Sequence, residues 1–382
     1  MNINNLPDEC LLHVFNLINR CDTLLNCARV CERWKCLVLE RCKNVNYLTD
    51  SLKVDGYPAS RTILFKDDDQ LERFELLKCL PKLKILDVKR KLDNDFILNV
   101  KVKGLLFKCD IYLDLENDTC HNPSLEMLAI KQLSGFFVNK IQGPRLKQLF
   151  LTSCSVPEFA SCAKYFPNLE RLHIYEQSRF LDDGAYIGPV LEKLEILEMG
   201  YRSRVDTWKY HAFSLADHCP ALKSAFHYIQ YFEEILVDSE IKNHFLEDLV
   251  IEFEEDQDWS ILRRILSKYP NLKHLAIRRE HEYDTGISDE NIPELLELLP
   301  CIRLIDIRIS RKVTKKSTEY IDRYCRRHNR SISLYYDYET KITEKWPHLS
   351  TEYSRIGLGF DFMKFCFLRD FDELPLLLDP DE

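Results

Sequence analysis

A leucine motif that recurs along most of the chain constrains the fold more than any other feature of the sequence. Its form is Pro-x-Leu-x-x-Leu-x-Ile, which is nearly identical at residues 167–174 and 270–277 and recognisable at residues 81–88. The windows recur every 20 to 30 residues or so, which is typical of repeat proteins whose units bury their apolar faces against one another. Their first apolar residues are Leu83, Val102, Leu125, Leu146, Leu169, Leu191, Leu222, Leu246, Leu272, Ile302 and, weakly, Asn329.

Each unit is predicted to be a helix, a turn and a strand. Alternating apolar residues in the motif indicate one buried strand face. The first apolar residue of each motif is called its anchor, and the proline before most anchors ends a preceding helix. Apolar residues at helical spacing occupy residues 159–166, 261–269 and 293–299, ahead of three of these prolines. One unit has two possible registers, with its anchor at Leu191 or at Leu194. The alternative to a repeat array is an ordinary α/β fold of alternating strands and helices.

The period and the pattern resemble those of leucine-rich repeats. This resemblance implies an α/β repeat fold over residues 46–340. The fold would be an irregular solenoid of about eleven units, with a concave parallel sheet and convex helices.

Residues 1–45 do not repeat and are predicted to form three short helices. The first begins at Pro7, since proline suits the first turn and the acidic Asp8 and Glu9 suit the positive end of the helix dipole. The three helices carry more large apolar side chains than so small a bundle can bury. The segment is therefore predicted to need a partner surface.

This N-terminal segment resembles the F-box. The residues that carry the likeness are Leu6, Pro7, Glu9, Leu12, Val14, Phe15, Leu24, Leu25, Val30, Cys31 and Trp34. F-boxes bind a Skp-family adaptor that bridges to a cullin scaffold and its RING subunit, so the resemblance implies that these residues bind the adaptor. An F-box followed by leucine-rich repeats looks like the substrate-recognition subunit of an SCF-type E3 ubiquitin ligase. The alternative is a repeat scaffold or sensor outside a ligase, with the N-terminal helices as a cap.

Residues that flank the central apolar position of each strand are predicted to face the concave side. Aromatic side chains in the middle of the array and basic ones towards its ends suit a protein substrate. Exposed strand positions also favour Tyr, Phe and Lys for structural reasons alone, which is the alternative interpretation. The candidate substrate-binding residues are Lys89, Lys108, Lys131, Phe150, His173, Tyr175, Phe226, Tyr228, Arg278 and Arg308.

The C-terminal residues 341–382 break the repeat and are rich in phenylalanine and leucine. So apolar a segment is expected to pack back onto the array. A cap on the last unit is the default expectation. The alternative is a path across the concave face, where the segment would belong to the ligand site or act as an internal pseudo-substrate.

Composition and missing motifs exclude several classes of function. With 53 Lys+Arg against 62 Asp+Glu, the chain is a poor general nucleic-acid binder. No phosphate-binding glycine loop, HExxH or GxSxG motif occurs, and the 15 cysteines are scattered without a CxxC pair. No secretion signal or membrane-spanning stretch is evident. We therefore predict a non-catalytic subunit in the cytoplasm or nucleus, without cofactor, metal, nucleic-acid or membrane partner.

Overall fold

The computed structural model of the chain describes residues 3–50, 57–66, 76–89, 101–107, 124–131, 143–176, 184–202, 209–230, 232, 234–255, 257–279, 286–308, 310–337 and 341–381. Within these ranges the chain forms three N-terminal helices, then one large parallel sheet with helices on one face. A C-terminal segment, residues 341–381, lies on the other face.

The three N-terminal helices are α1 (Asp8–Leu17), α2 (Cys21–Ala28) and α3 (Glu32–Cys42). Helix α1 begins directly after Pro7, as the sequence predicts. Leu11, Phe15 and Leu24 are buried between the helices. The rings of Phe15 and Trp34 meet edge to face, with 5.3 Å between their centroids, a favourable aromatic geometry.

Thirteen strands form the large sheet, and its neighbouring strands run parallel. Their order is β2-β1-β3-β4-β5-β6-β7-β8-β10-β12-β13-β14-β15, while β9 pairs with β11 and β16 with β17. The strands are β1 (Tyr47–Thr49), β2 (Thr62–Leu64), β3 (Ile85–Val88), β4 (Gly104–Phe107), β5 (Met127–Ile130), β6 (Gln148–Leu151), β7 (Arg171–Glu176), β8 (Ile196–Arg202), β9 (Lys209–Tyr210), β10 (Ser224–Gln230), β11 (Glu234–Ile235), β12 (Asp248–Phe253), β13 (His274–Arg279), β14 (Leu304–Asp306), β15 (Ser333–Tyr335), β16 (Ile356–Leu358) and β17 (Leu377–Asp379).

Within the described ranges five α-helices connect these strands, and the three helical stretches that the sequence predicts are confirmed as α4, α6 and α7. A capping box starts α4: the Ser155 hydroxyl accepts a hydrogen bond from the Glu158 amide, and the Glu158 carboxylate accepts one from the Ser155 amide. The connecting helices are α4 (Val156–Cys162), α5 (Ala212–Ala216), α6 (Trp259–Ser267), α7 (Ile292–Leu298) and α8 (Lys315–His328).

One register runs through the sheet. The central apolar residue of each motif pairs with its counterpart on the next strand, from Leu48 at β1 to Leu334 at β15. Leu172 pairs with Leu197, so the ambiguous unit has its anchor at Leu194 and not at Leu191. Asn329 is not an anchor, because it is the left-handed residue (φ 50°) that ends α8.

Alternate strand residues face two different cores. The central leucines pack against the connecting helices in one core. The residues on either side of them pack against the C-terminal segment in two further clusters. A parallel sheet is normally covered on both faces, and here the C-terminal segment covers the second one together with Tyr57.

The C-terminal segment crosses the sheet, which is the alternative expectation, and it also packs on Tyr335 of the last strand. It contains strand β16, helix α9 (Phe362–Phe365) and strand β17. Its hydrogen bonds to the sheet extend from Arg278 on β13 to Tyr47 on β1. The physical reason is that the second face of the sheet is apolar along most of its length, which an edge cap cannot bury.

The described ranges contain no helix that is both long and apolar enough to cross a membrane. No three His, Cys, Asp or Glu side chains of the described residues come together as a metal site.

The buried His227 predicts a pH-dependent stability. Burial lowers its pKa to about 3, below the value of about 6.5 in an unfolded chain, so the unfolded state binds more protons between these values. Lowering the pH from 7.5 to 5.5 is therefore expected to reduce the free energy of unfolding through this group by about 1.3 kcal/mol. Urea unfolding at the two pH values should show a pH effect that is smaller by this amount in His227→Gln than in the wild type. An equal pH effect on the free energy of unfolding in both proteins would contradict this prediction.

Candidate functional site

Most residues that the sequence predicts to be functional lie on two parts of the structure. These are the N-terminal helices and the sheet face beneath the C-terminal segment. On the N-terminal helices, Phe15 and Leu24 are buried in the helical core, with 1% and 2% of their surface exposed. They cannot present their side chains to a partner in this conformation, so for them the adaptor-contact prediction is corrected to a core role. The other predicted adaptor residues are partly or fully exposed, namely Leu6, Pro7, Glu9, Leu12, Val14, Leu25, Val30, Cys31 and Trp34.

Large apolar side chains stay exposed on these helices. Val14 is 39% exposed and Val30 is 56% exposed. Leu17, which the sequence analysis did not select, is 67% exposed. The sequence spacing could have indicated that Leu17 belongs to the same exposed surface, because Leu17 lies one helical turn after Val14 on α1. Exposed apolar groups concentrated on so small a bundle indicate a contact surface.

Arg33 of α3 holds the start of the chain against this surface. Its guanidinium donates to the carbonyl oxygens of Asn4 and Leu6 at 2.6 Å each, and to the carboxylate of Asp8 at 2.7 Å. The segment that carries Leu6 and Pro7 is therefore held by the third helix, which joins this segment and the start of α1 in one surface.

The centre of the covered sheet face is aromatic, and Phe371 of the C-terminal segment fills it. The Phe371 ring stacks on His173 at 4.8 Å and on Tyr228 at 5.5 Å, and meets Tyr175 edge to face at 5.3 Å. Gly200 on β8 makes room for this ring, because a Cβ atom there would lie 2.2 Å from it. The aromatic stripe on the sheet is therefore the binding site of the chain's own Phe371.

A buried charged group lies beside this aromatic centre. The Glu198 carboxylate accepts from the Arg171 guanidinium at 2.8 Å, lies 3.0 Å from His173 Nδ1, and accepts from the Cys366 thiol at 3.3 Å. Burial alone would raise the pKa of Glu198, but Arg171 and His173 hold it below its usual range. Burial lowers the pKa of His173 and raises that of the Cys366 thiol. The group is thus a carboxylate–guanidinium pair with a neutral ring and a protonated thiol.

Further polar contacts fix the segment near the first strands. Arg355 donates two hydrogen bonds to Asp87 on β3, at 2.5 Å and 2.7 Å. The Tyr47 hydroxyl donates to Asp379 at 2.7 Å. The Gln148 side chain both donates to the carbonyl of Leu378 and accepts from its amide. These contacts satisfy the polar groups of a peptide that lies on the face, as a bound substrate peptide would require.

At the other end of the segment, Arg278 on β13 donates to the carbonyl oxygens of Phe367 and Arg369. Between the two ends, Glu252 on β12 accepts a hydrogen bond from the Phe371 amide at 3.0 Å. Hydrogen bonds therefore tie the segment to the sheet from β1 to β13.

Six of the ten candidate substrate-binding residues lie buried on this covered face, so the prediction that they contact a second chain is corrected for this conformation. Alternate positions of a parallel sheet must be covered, and here the chain covers them itself. These six are Phe150, His173, Tyr175, Phe226, Tyr228 and Arg278.

The remaining four candidates are dispersed. Lys89 is exposed and Lys131 is half-buried. Arg308 is half-buried and donates to Asp306 at 2.8 Å and 3.0 Å. Lys108 lies outside the described residues. The structure does not unite Lys89, Lys131 and Arg308 into one site.

Comparison with families of known proteins matches residues 3–46 to the F-box domain. No curated protein sequence matches the chain. An F-box domain implies a role in binding the Skp-type adaptor of an SCF complex. The chain is therefore an F-box at the N-terminus followed by a parallel sheet with helices.

The packing of Phe371 predicts a large loss of stability on truncation. Phe371→Ala removes a buried ring from the aromatic centre and is expected to lower the free energy of unfolding by about 3 to 5 kcal/mol. Denaturant unfolding measures the loss. The matched control is Tyr353→Ala in the same segment, where the ring is 45% exposed and the expected change is within about 0.5 kcal/mol. Equal effects of the two substitutions would show that the segment does not pack on the sheet as described.

Proposed function

We propose that this protein is the substrate-recognition subunit of an SCF-type ubiquitin ligase. The F-box helices bind a Skp-family adaptor, and through it the cullin and RING subunits. The observation that carries the proposal is the match of residues 3–46 to the F-box domain, on helices that leave Val14, Leu17 and Val30 exposed. Such side chains lose their contact with water when a partner covers them, which drives association.

We further propose that the strands and helices after the F-box are leucine-rich repeats. The support is the single register of the sheet, in which Leu86, Leu105, Leu128, Leu149 and Leu172 pair in succession. Stacked units of helix, turn and strand with the same leucine facing the helices agree with that architecture.

Under this proposal the chain itself is non-catalytic. It brings a bound protein substrate close to the enzyme that carries ubiquitin, and the raised effective concentration accelerates the transfer. The cysteines of the described ranges are free thiols, which favours a reducing compartment such as the cytoplasm or nucleus.

We place the substrate on the rim of the sheet at the starts of β8, β10, β12 and β13. The sheet face opposite the connecting helices is already covered by the C-terminal segment, whereas Phe245 on this rim is 63% exposed. Phe245, Pro220 and Ala221 line a groove of about 730 Å³ there. Exposed aromatic area in a concave site is what protein interfaces use.

The N-terminal helices also cap the sheet, so the cap function and the adaptor function coexist. The Leu64 amide of edge strand β2 donates to the carbonyl of Asn19 at 2.7 Å, and Arg41 donates to the carbonyl of Thr62 at 3.0 Å. These bonds pair backbone groups of an edge strand that would otherwise invite association. They favour a scaffold with a helical cap as the second candidate function.

The proposal predicts stoichiometric capture of a Skp-family adaptor with the cullin N-terminal region. The combined variant Val14→Asp, Leu17→Asp and Val30→Asp places charges on exposed positions, so it is expected to fold and to lose at least tenfold in affinity, or about 1.4 kcal/mol. Co-expression followed by quantitative pull-down measures the capture, and circular dichroism checks the fold.

The control carries the same three charges elsewhere, as Ile187→Asp, Val190→Asp and Ile241→Asp, at positions that are also exposed in the structure. It is expected to capture the adaptor like the wild type. A folded wild type that captures no adaptor would overturn the ligase role and leave the capped scaffold.

A further inference from the structure

A polar pocket of about 440 Å³ lies where the N-terminal helices meet the first strands. Its described lining residues are three asparagines, one serine, one arginine and two lysines, without a carboxylate among them. The cations are Arg61 after the turn that precedes β2, and Lys82 and Lys84 before β3. In a chain with a net charge of −9, a concave site lined only by cations and neutral hydrogen-bonding groups is unusual.

Two of these cations have no acidic partner among the described residues. Arg61 and Lys82 are both exposed, and neither forms an ion pair there. The Lys82 ammonium donates to the side-chain oxygen of Asn44 at 3.2 Å, which leaves donors available. The Arg61 guanidinium makes no side-chain hydrogen bond within the described part of the chain. Neither cation is therefore paired with a carboxylate of the described residues.

The chain brings its own carboxylates to the third cation. Lys84 Nζ lies 3.3 Å from an oxygen of Asp381 and 3.6 Å from one of Asp379. Lys103, on the neighbouring chain segment, lies 3.2 Å from Asp381. Hydrogen bonds from Lys103 and Lys84 hold the pKa of Asp381 below its usual range. This corner of the molecule thus binds anionic groups already, and Arg61 and Lys82 remain for another anion.

We propose that the junction pocket is a binding site for a phosphoryl group. A phosphoryl dianion offers three acceptor oxygens, which match the planar donors of Arg61, the ammonium of Lys82 and the neutral donors Ser60 and Asn44. A carboxylate carries one charge and would leave one of the two free cations without a counter-charge. The volume exceeds that of a lone phosphoryl group, so the group arrives on a larger molecule.

Two sources supply this chemistry: a phosphorylated side chain of a protein partner and a small organic phosphate. The site does not depend on the proposed ligase role, because adaptor binding and anion binding use different residues. A phosphorylated partner bound here would contact both the F-box and the first strands.

Isothermal titration of the full chain at physiological salt tests the proposal with two probes. One is the peptide acetyl-Ala-phosphoSer-Ala-amide, with its unphosphorylated form for comparison, and the other is inorganic pyrophosphate. We expect saturable binding at one site. Tighter binding of the phosphopeptide identifies a phosphorylated side chain as the source, and tighter binding of pyrophosphate identifies a free phosphate compound.

Variants distinguish specific binding in the pocket from nonspecific attraction to basic side chains. Arg61→Gln with Lys82→Gln is expected to weaken binding at least tenfold. Asn44→Asp, which adds a carboxylate and keeps both cations, is expected to weaken it as well. The control Arg323→Gln with Arg327→Gln removes two cations from α8 and is expected to change nothing. Absence of saturable binding at millimolar probe would overturn the proposal, as would equal weakening by the control.

Discussion

The structure depends on covering both faces of a long parallel sheet. Strands in such a sheet expose apolar groups on two sides, and uncovered strands would leave a large apolar surface in water. One face is covered locally, since each connecting helix packs on the leucines of its neighbouring strands. The described connecting helices leave the other face to be covered by other parts of the chain. Tyr57 covers it near β1 and β3, and the C-terminal segment covers the rest by crossing nearly the whole sheet.

Buried polar pairs set the position of that segment. Apolar contacts alone would let the C-terminal segment slide along the sheet face. The hydrogen bonds of Arg355 to Asp87 and the packing of Phe371 on Gly200 can form in only one position of the segment. Removing one partner of a buried charge pair is costly, because the other charge stays buried without compensation. The Glu198 carboxylate with Arg171 supplies the same constraint at the centre. The covered face is thus specified as a site for this one peptide, and we look for protein partners elsewhere on the surface.

The sequence predicted what local patterns determine. The leucine period predicted the parallel strands from β3 to β14 in the large sheet, and the apolar stripes predicted α4, α6 and α7, because neighbouring units pack on each other. It did not predict β1 and β2, which precede the first leucine motif and pair in the order β2-β1-β3. The start of α1 followed from Pro7 and two acidic residues. The role of Phe371 could not be predicted, since its partners His173 and Tyr228 lie far away in the sequence and any aromatic stripe also fits an open binding face. Phe15 and Leu24 match the F-box pattern, but the pattern does not separate core residues from contact residues.

Hydrogen exchange of the backbone amides tests the covered face most directly. The amides of Phe371, Leu376 and Leu378 donate to Glu252, Arg355 and Gln148, respectively. Amides bonded in a packed core exchange slowly, because they open only in rare unfolding events. We predict protection of these three amides close to that of the β8 amides in the native protein. Exchange near the unprotected rate in residues 371–378, with β8 still protected, would contradict it and show that the sheet face is open to partners.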